Sequence, residues 1–164
     1  MTIAYVGVGT NIDRDKHARV AWTELQSLGT DLKCSKIYHC EPVGFESHSF
    51  YNFVIELDTS LSLTEFSQQL RKIEFKWGRS QDAHKLQDRK LDLDIVLFGD
   101  VVSESEPELP RSDIYKYPFV TQPLYDLCPA RVIPQDGRTV SEIWQKMQQL
   151  DSVSYAHLTL PTTR

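Results

Sequence analysis

The sequence predicts an α+β domain of the split βαβ, ferredoxin-like kind: an antiparallel sheet with two helices on one face, followed by a loop-rich C-terminal extension. Three observations predict it. The apolar period switches between 2 and 3.6 in the order strand, helix, strand, strand, helix, strand. The chain has 164 residues, 40% of them hydrophobic and 25% charged, which suits one globular domain with one sizeable core. Past residue 98 that alternation stops, and prolines 107, 110, 118, 123, 129 and 134 punctuate the C-terminal third of the chain. We expect residues 1–150 to form a single domain and 151–164 to be a loose tail.

Residues 2–8 (TIAYVGV) read as a buried strand, rich in β-formers and ending at the turn-like GVGTN. Residues 14–28 read as a helix with Ala18, Ala21, Trp22, Leu25 and Leu28 on one stripe and Gly29 as its stop. Residues 33–40 and 50–58 read as strands joined by a loop. The second strand alternates, with Tyr51, Phe53, Ile55 and Leu57 on one face and Phe50, Asn52 and Val54 on the other. Leu63, Phe66, Leu70, Ile73 and Trp77 define the second helix. Ser62 and Glu65 fit a capping box at its start, and Gly78 follows its end. Residues 79–90 are polar and read as a long loop or lid. The next strand spans 91–98 (LDLDIVLF), with a short helix near 118–127 and a last one over 139–149.

Composition excludes several functions. The net charge of −5 argues against a general nucleic-acid binder. Between Arg71 and Lys90, however, seven basic residues face three acidic ones, a local surplus that suits a small anionic ligand. Cys34, Cys40 and Cys128 are an odd number without C-x-x-C spacing, so neither a disulfide framework nor a structural zinc site is expected. No apolar run reaches a membrane span, and the first residues lack a basic lead-in, so we expect a cytoplasmic protein. The histidines show no ligand spacing and are expected at the surface.

The strongest chemical signal is the pair Asp92 and Asp94. On a strand they share the face opposite Leu91, Leu93, Ile95 and Leu97, roughly 7 Å apart at Cα. Two carboxylates so placed repel unless a cation lies between them, and oxygen ligands without His or Cys suit Mg²⁺. The other reading is two solvated aspartates on an exposed face, although aspartate is unfavourable in strands. Arg79 and Arg89 bracket the lid and offer bidentate donors for polyphosphate; the alternative is a solvated charged loop. Phe50 beside Asn52 on a non-core face suits a flat heterocycle, with Phe119 as a candidate second wall. Phe119 also reads as ordinary core.

Five segments together resemble one family: Gly-x-Gly-x-Asn at 7–11, Glu-Pro-Val-Gly at 41–44, Phe-Tyr-Asn at 50–52, Ile-Glu followed by Gly-Arg at 73–79, and Arg-Lys-Leu-Asp-Leu-Asp-Ile-Val-Leu-Phe-Gly at 89–99. The family is 6-hydroxymethyl-7,8-dihydropterin pyrophosphokinase, of folate biosynthesis, and the likeness runs to about residue 148. It implies a ferredoxin-like fold, a cytoplasmic monomer, and ATP and a pterin as substrates. The reaction implied is Mg²⁺-dependent transfer of pyrophosphate to the pterin hydroxymethyl oxygen, with release of AMP. It further implies two Mg²⁺ ions held by Asp92 and Asp94, and phosphates clamped by the catalytic pair Arg79 and Arg89. The pterin would lie between Phe50 and Phe119, read by Asn52 and lined by backbone of Cys40 and Val43. Glu74, Arg111 and Ser112 would belong to the nucleotide site.

The departures from the family pattern concern the lid and the nucleotide side. Gln81 stands for an arginine, Gln87-Asp88 for Gly-Pro, and Leu86 for an aromatic residue. Arg111 stands for a histidine and Tyr117 for an arginine. Three readings therefore remain: an active pyrophosphokinase, a paralogue that binds pterin or nucleotide with reduced or no catalysis, and an unrelated Mg²⁺-dependent nucleotide-sugar transferase using Asp-x-Asp. The length counts against the last.

Overall fold

The computed structural model describes residues 1–40, 49–78 and 91–150. The lid expected over 79–90, the loop at 41–48 and the tail at 151–164 lie outside them. β1 (Thr2–Thr10), α1 (Arg14–Leu25), β2 (Thr30–Cys34), β3 (Tyr38–Cys40), β4 (Phe50–Thr59), α2 (Leu63–Lys76) and β5 (Asp92–Phe98) keep the expected order. The sheet runs β2-β4-β1-β5, with β3 continuing beside β4, and every pairing is antiparallel. This is the split βαβ arrangement: β1 lies in the middle and both helical crossovers cover one face.

That face holds the first core. Ala18, Ala21 and Leu25 of α1 and Phe66, Leu70 and Ile73 of α2 pack on Val6, Val8, Phe53, Ile55, Leu57, Leu93 and Ile95 of the strands. The capping box is present: the Ser62 hydroxyl accepts from Glu65 N–H at 3.2 Å, and Glu65 accepts from Ser62 N–H at 2.9 Å. At the other end of α2, Trp77 Nε1 donates to Glu24 of α1 at 2.9 Å, so the two helices are tied where α2 stops.

The other face is also covered. α3 (Asp113–Lys116), α4 (Pro118–Leu127) and α5 (Val140–Leu150) bring Ile114, Leu124, Val140 and Ile143 onto Tyr5, Val54, Val96 and Leu97 as a second core. The C-terminal extension is thus structural, and one turn of helix, α3, was not expected.

Four local expectations are corrected. The strand expected at 33–40 is two strands. Cys34 pairs with Ile55 and Tyr38 with Asn52, four steps against three, so one extra residue bulges out. The Ser35 hydroxyl accepts from Val54 N–H at 2.9 Å and holds that bulge. On β5, Val6 pairs with Ile95 but Tyr5 with Leu97. The inserted residue turns Leu97 into the second core instead of the first. His17 is buried, not superficial: its Nδ1 bonds Ile12 O at 2.7 Å and its ring meets Trp77 edge-on.

Gly29 lies beyond the end of α1, three residues after its C-cap, and its role is close approach rather than capping. A Cβ there would sit 2.2 Å from the carbonyl oxygen of Asp58. We therefore expect Gly29→Ala to cost on the order of 3 kcal/mol, because backbone must move to admit it. A urea titration checks this: the midpoint should fall at constant slope, and a midpoint equal to the parent's would refute the steric account.

Candidate active site

The site lies where the second core stops and the sheet's second face opens. Its floor is set by register. Gly9 stands between Asn52 on β4 and Asp92 on β5, and Gly7 between Val54 and Asp94. Directly opposed residues share a face, so two rows cross the three strands with a glycine at the centre of each. A Cβ on Gly9 would lie 3.3 Å from Asn52 Oδ1 and 4.0 Å from both Phe50 Cδ1 and Asp92 Cβ. The missing side chains leave bare backbone between the amide and the carboxylates, a floor for a flat molecule. The Gly-x-Gly segment is not a strand end and turn, as the sequence suggests, but lies inside β1, and this is its role.

Two clefts adjoin at β5, the first of them over that floor. One is a narrow slot of about 70 Å³, lined by Gly7, Gly9, Asn52, Asp92, Asp94, Arg111 and Phe119 among others. The other, about 240 Å³, runs past Arg71, Glu74, Asp94, Glu106 and Arg111. Asp94 and Arg111 line both, so they stand at the junction. A more open hollow of about 510 Å³ lies apart from these, over Leu109, Tyr115 and Asp136. Its Asp136 carboxylate is already taken by Arg138 at 2.8 Å and by Tyr115 at 2.9 Å.

The electrostatics at the junction are unusual. Asp94 is pushed up to about 7, first by burial and second by the Asp92 carboxylate, with Arg111 pulling the other way. Its side chain keeps 36% of its exposure, on the cleft side. Arg111 Nε donates to Asp113 Oδ2 at 2.8 Å, and its Nη2 lies 3.6 Å from Asp94 Oδ2. Two half-buried carboxylates whose mutual repulsion raises a pKa suit a divalent cation, which would relieve that repulsion. A site of two carboxylates fits Mg²⁺, which completes its shell with water and phosphate oxygens.

The walls are set by local structure. Phe119 comes directly after Pro118, the first residue of α4. Thr121 Oγ1 lies 2.5 Å from Ile114 O and 3.0 Å from Tyr117 O, fixing that turn against α3. The Phe119 ring stacks on Tyr117, centroids 5.0 Å apart, so one of its faces is already occupied. Phe50 and Cys40 oppose each other on the β3–β4 ladder. Arg14 braces that ladder, donating to Ser49 O at 3.1 Å and bonding His39 Nε2 at 2.9 Å.

The structure brings Asn52, Asp92, Asp94, Arg111 and Phe119 to one slot, with Phe50 at its edge. Glu74 lines the second cleft, but its Oε2 also accepts from Leu93 N–H at 2.8 Å and so ties α2 to β5. Ser112 lines neither cleft; it precedes α3, and its carbonyl accepts from Tyr115 N–H. Val43, Arg79 and Arg89 lie outside the described residues. Sequence reading missed Asp113, whose partner is only two residues away, and the two glycines; for the glycines, Gly-x-Gly inside an apolar strand run was the available signal.

Fold and site together define a class: a split βαβ domain with an acidic pair at the junction of two clefts over a glycine floor. The family model of 7,8-dihydro-6-hydroxymethylpterin-pyrophosphokinase (HPPK) matches residues 5–129, and the chain belongs to that family. A 2-amino-4-hydroxy-6-hydroxymethyldihydropteridine pyrophosphokinase of Bacillus subtilis is 36% identical over 131 residues, 77% of this chain and 78% of that protein. One of Porphyromonas gingivalis is 35% identical over 136 residues, 79% of this chain and 92% of that protein. Among solved structures, a wild-type Plasmodium falciparum HPPK-DHPS matches 98% of this chain with a TM-score of 0.72 at 12% identity. An HPPK-DHPS in complex with substrates matches 97% with a TM-score of 0.76 at 10% identity. This chain spans about half the length of those two solved chains, and at that identity the likeness is one of fold.

Proposed function

We propose that this protein transfers pyrophosphate from ATP to the hydroxymethyl group of 6-hydroxymethyl-7,8-dihydropterin. The hydroxymethyl oxygen gives up its proton to solvent and bonds to the β-phosphorus, the bond from that phosphorus to the α–β bridging oxygen breaks, and AMP leaves. The observation that carries this reading is the junction of two clefts at Asp94, one floored for a flat ring and one suited to a nucleotide. Asp92 and Asp94 would hold Mg²⁺, two ions being the number implied by the family. Bound there, the metal neutralises charge on the triphosphate oxygens.

The chain's own groups do the rest. Asn52 reads the hydrogen-bonding edge of the ring, Phe50 and Phe119 stack on it, and backbone of Cys40 and Val43 lines its rim. Arg111 offers its guanidinium to phosphate, with Arg79 and Arg89 from the 79–90 segment and Glu74 nearer the nucleotide. Residues 1–150 act as one domain in a cytoplasmic monomer. Among the described residues no helix is long and apolar enough to cross a membrane.

The test is a coupled assay of AMP release from ATP and hydroxymethyl-dihydropterin with Mg²⁺. AMP released in equal amount to pterin consumed supports the transfer; binding of both without AMP supports the paralogue reading, which the departures at Gln81, Leu86, Gln87 and Asp88 favour. For Phe119→Ala we expect pterin affinity to fall about tenfold, since a lost aromatic stack costs about 0.5–1.5 kcal/mol beyond its buried area. ATP affinity should stay within twofold by calorimetry. Equal loss for both ligands would place Phe119 elsewhere than in a pterin wall.

A further inference from the structure

We propose that Arg111, tethered by Asp113, is the counter-ion of Asp94 in the nucleotide-free protein and moves from it to the nucleotide's phosphates, so that metal and nucleotide enter together. This rests on the function proposed above and adds an order of binding to it. The two contacts of Arg111 differ in kind. The 2.8 Å bond to Asp113 has hydrogen-bond length, whereas 3.6 Å to Asp94 is charge attraction without a hydrogen bond. Arg111 is therefore held by Asp113 and only leans on Asp94.

Its backbone reinforces the tether. Arg111 N–H donates to Val96 O at 3.1 Å, two residues beyond Asp94 on β5, and the nearby Leu109 is buried. Held at its backbone and by its Asp113 bond, the guanidinium stays beside the junction and can turn between the two clefts, both of which it lines. In the slot, among the described residues, Asp92, Asp94 and Asp113 outnumber Arg111, so the slot carries surplus negative charge and attracts a cation. A metal ion arriving alone must take Asp94 from Arg111, leave a positive charge beside itself, and give Arg111 nothing in exchange. A metal arriving on a triphosphate brings phosphate oxygens, to which a guanidinium bonds as a bidentate donor. Arg111 thus penalises metal alone and favours metal with nucleotide, which is positive coupling between the two ligands.

The experiment measures Mn²⁺ uptake by electron paramagnetic resonance on the full chain, with and without α,β-methylene-ATP, which cannot break at the reacting bond. We expect Arg111→Met to bind Mn²⁺ alone about tenfold more tightly than the parent, as removing a nearby like charge predicts. At saturating Mn²⁺ it should bind the analogue about tenfold more weakly, with metal-free analogue binding near the parent value, so the coupling between metal and analogue shrinks about tenfold. Arg111→Lys keeps the charge but not the fork; it should keep Mn²⁺-alone binding near the parent value while still weakening the analogue. It serves as well if the methionine variant fails to fold. Unchanged Mn²⁺ affinity in Arg111→Met, or unchanged coupling in either variant, overturns the proposal. AMP release by the parent is read separately. AMP with unaltered coupling sinks the Arg111 proposal alone; the expected coupling without AMP sinks only the transfer reaction; no Mn²⁺ uptake by the parent under either condition sinks both.

Discussion

Asp94→Asn is expected to abolish pyrophosphoryl transfer and, at the same time, to stabilise the metal-free fold. The loss should be on the order of 10³-fold, the scale on which charge stabilisation acts at a reacting phosphorus. An asparagine keeps the shape but supplies no negative charge to a cation. The gain in stability comes from the raised pKa of Asp94, about 7 against an ordinary 3.8. Between those values the folded protein binds a proton that the unfolded chain does not, so stability falls as pH rises from about 4 to about 7, then levels off. The asparagine variant lacks that decline. With the side chain 36% exposed, solvent screening reduces the gain to about 1 kcal/mol, or a few degrees in Tm at pH 8. Thermal melts of both proteins at pH 5 and pH 8 in EDTA check it. A parent as stable at pH 8 as at pH 5, with a variant no more stable at pH 8, would show that Asp94 carries no such burden.

Gly9→Val is the second large effect. Valine suits a central strand, so the fold should survive. Its Cβ would nonetheless lie 3.3 Å from Asn52 Oδ1, and its two methyl groups would stand in the slot itself. We expect pterin affinity to fall about 100-fold, roughly 2.8 kcal/mol, while α,β-methylene-ATP binds within twofold of the parent. Calorimetric titration of each ligand separates the two. Undiminished pterin binding would mean that the glycine floor is not where the ring lies.

The candidate site was legible to different depths. Asp92 and Asp94 could be placed on one face from period-2 alternation alone, and they occupy one slot. Asn52 and Phe119, some 67 positions apart, could be named but not brought together, since their meeting depends on α4 crossing the face of β4. Arg111 could be named from its departure from the family pattern. That it pairs with Asp94 while held by Asp113 could not, because both contacts depend on where the segment after β5 turns back. Leu97 was assigned to the wrong core for a related reason: strict alternation cannot foresee a bulge opposite Tyr5 and Val6.

By itself the sequence determined what nearest neighbours decide. The order of strands and helices, the capping box at Ser62, the apolar stripe of α2 and the shared face of the two aspartates all come from local periodicity and side-chain chemistry. Tertiary structure decided what depends on register between distant strands. It set Gly9 between Asn52 and Asp92, turned Leu97 to the opposite core, closed the second face with α3 to α5, and placed one guanidinium between two carboxylates. The physical reason is that a strand's period specifies which residues share a face, whereas the rung each residue occupies is chosen by pairing, bulges and packing along the whole chain.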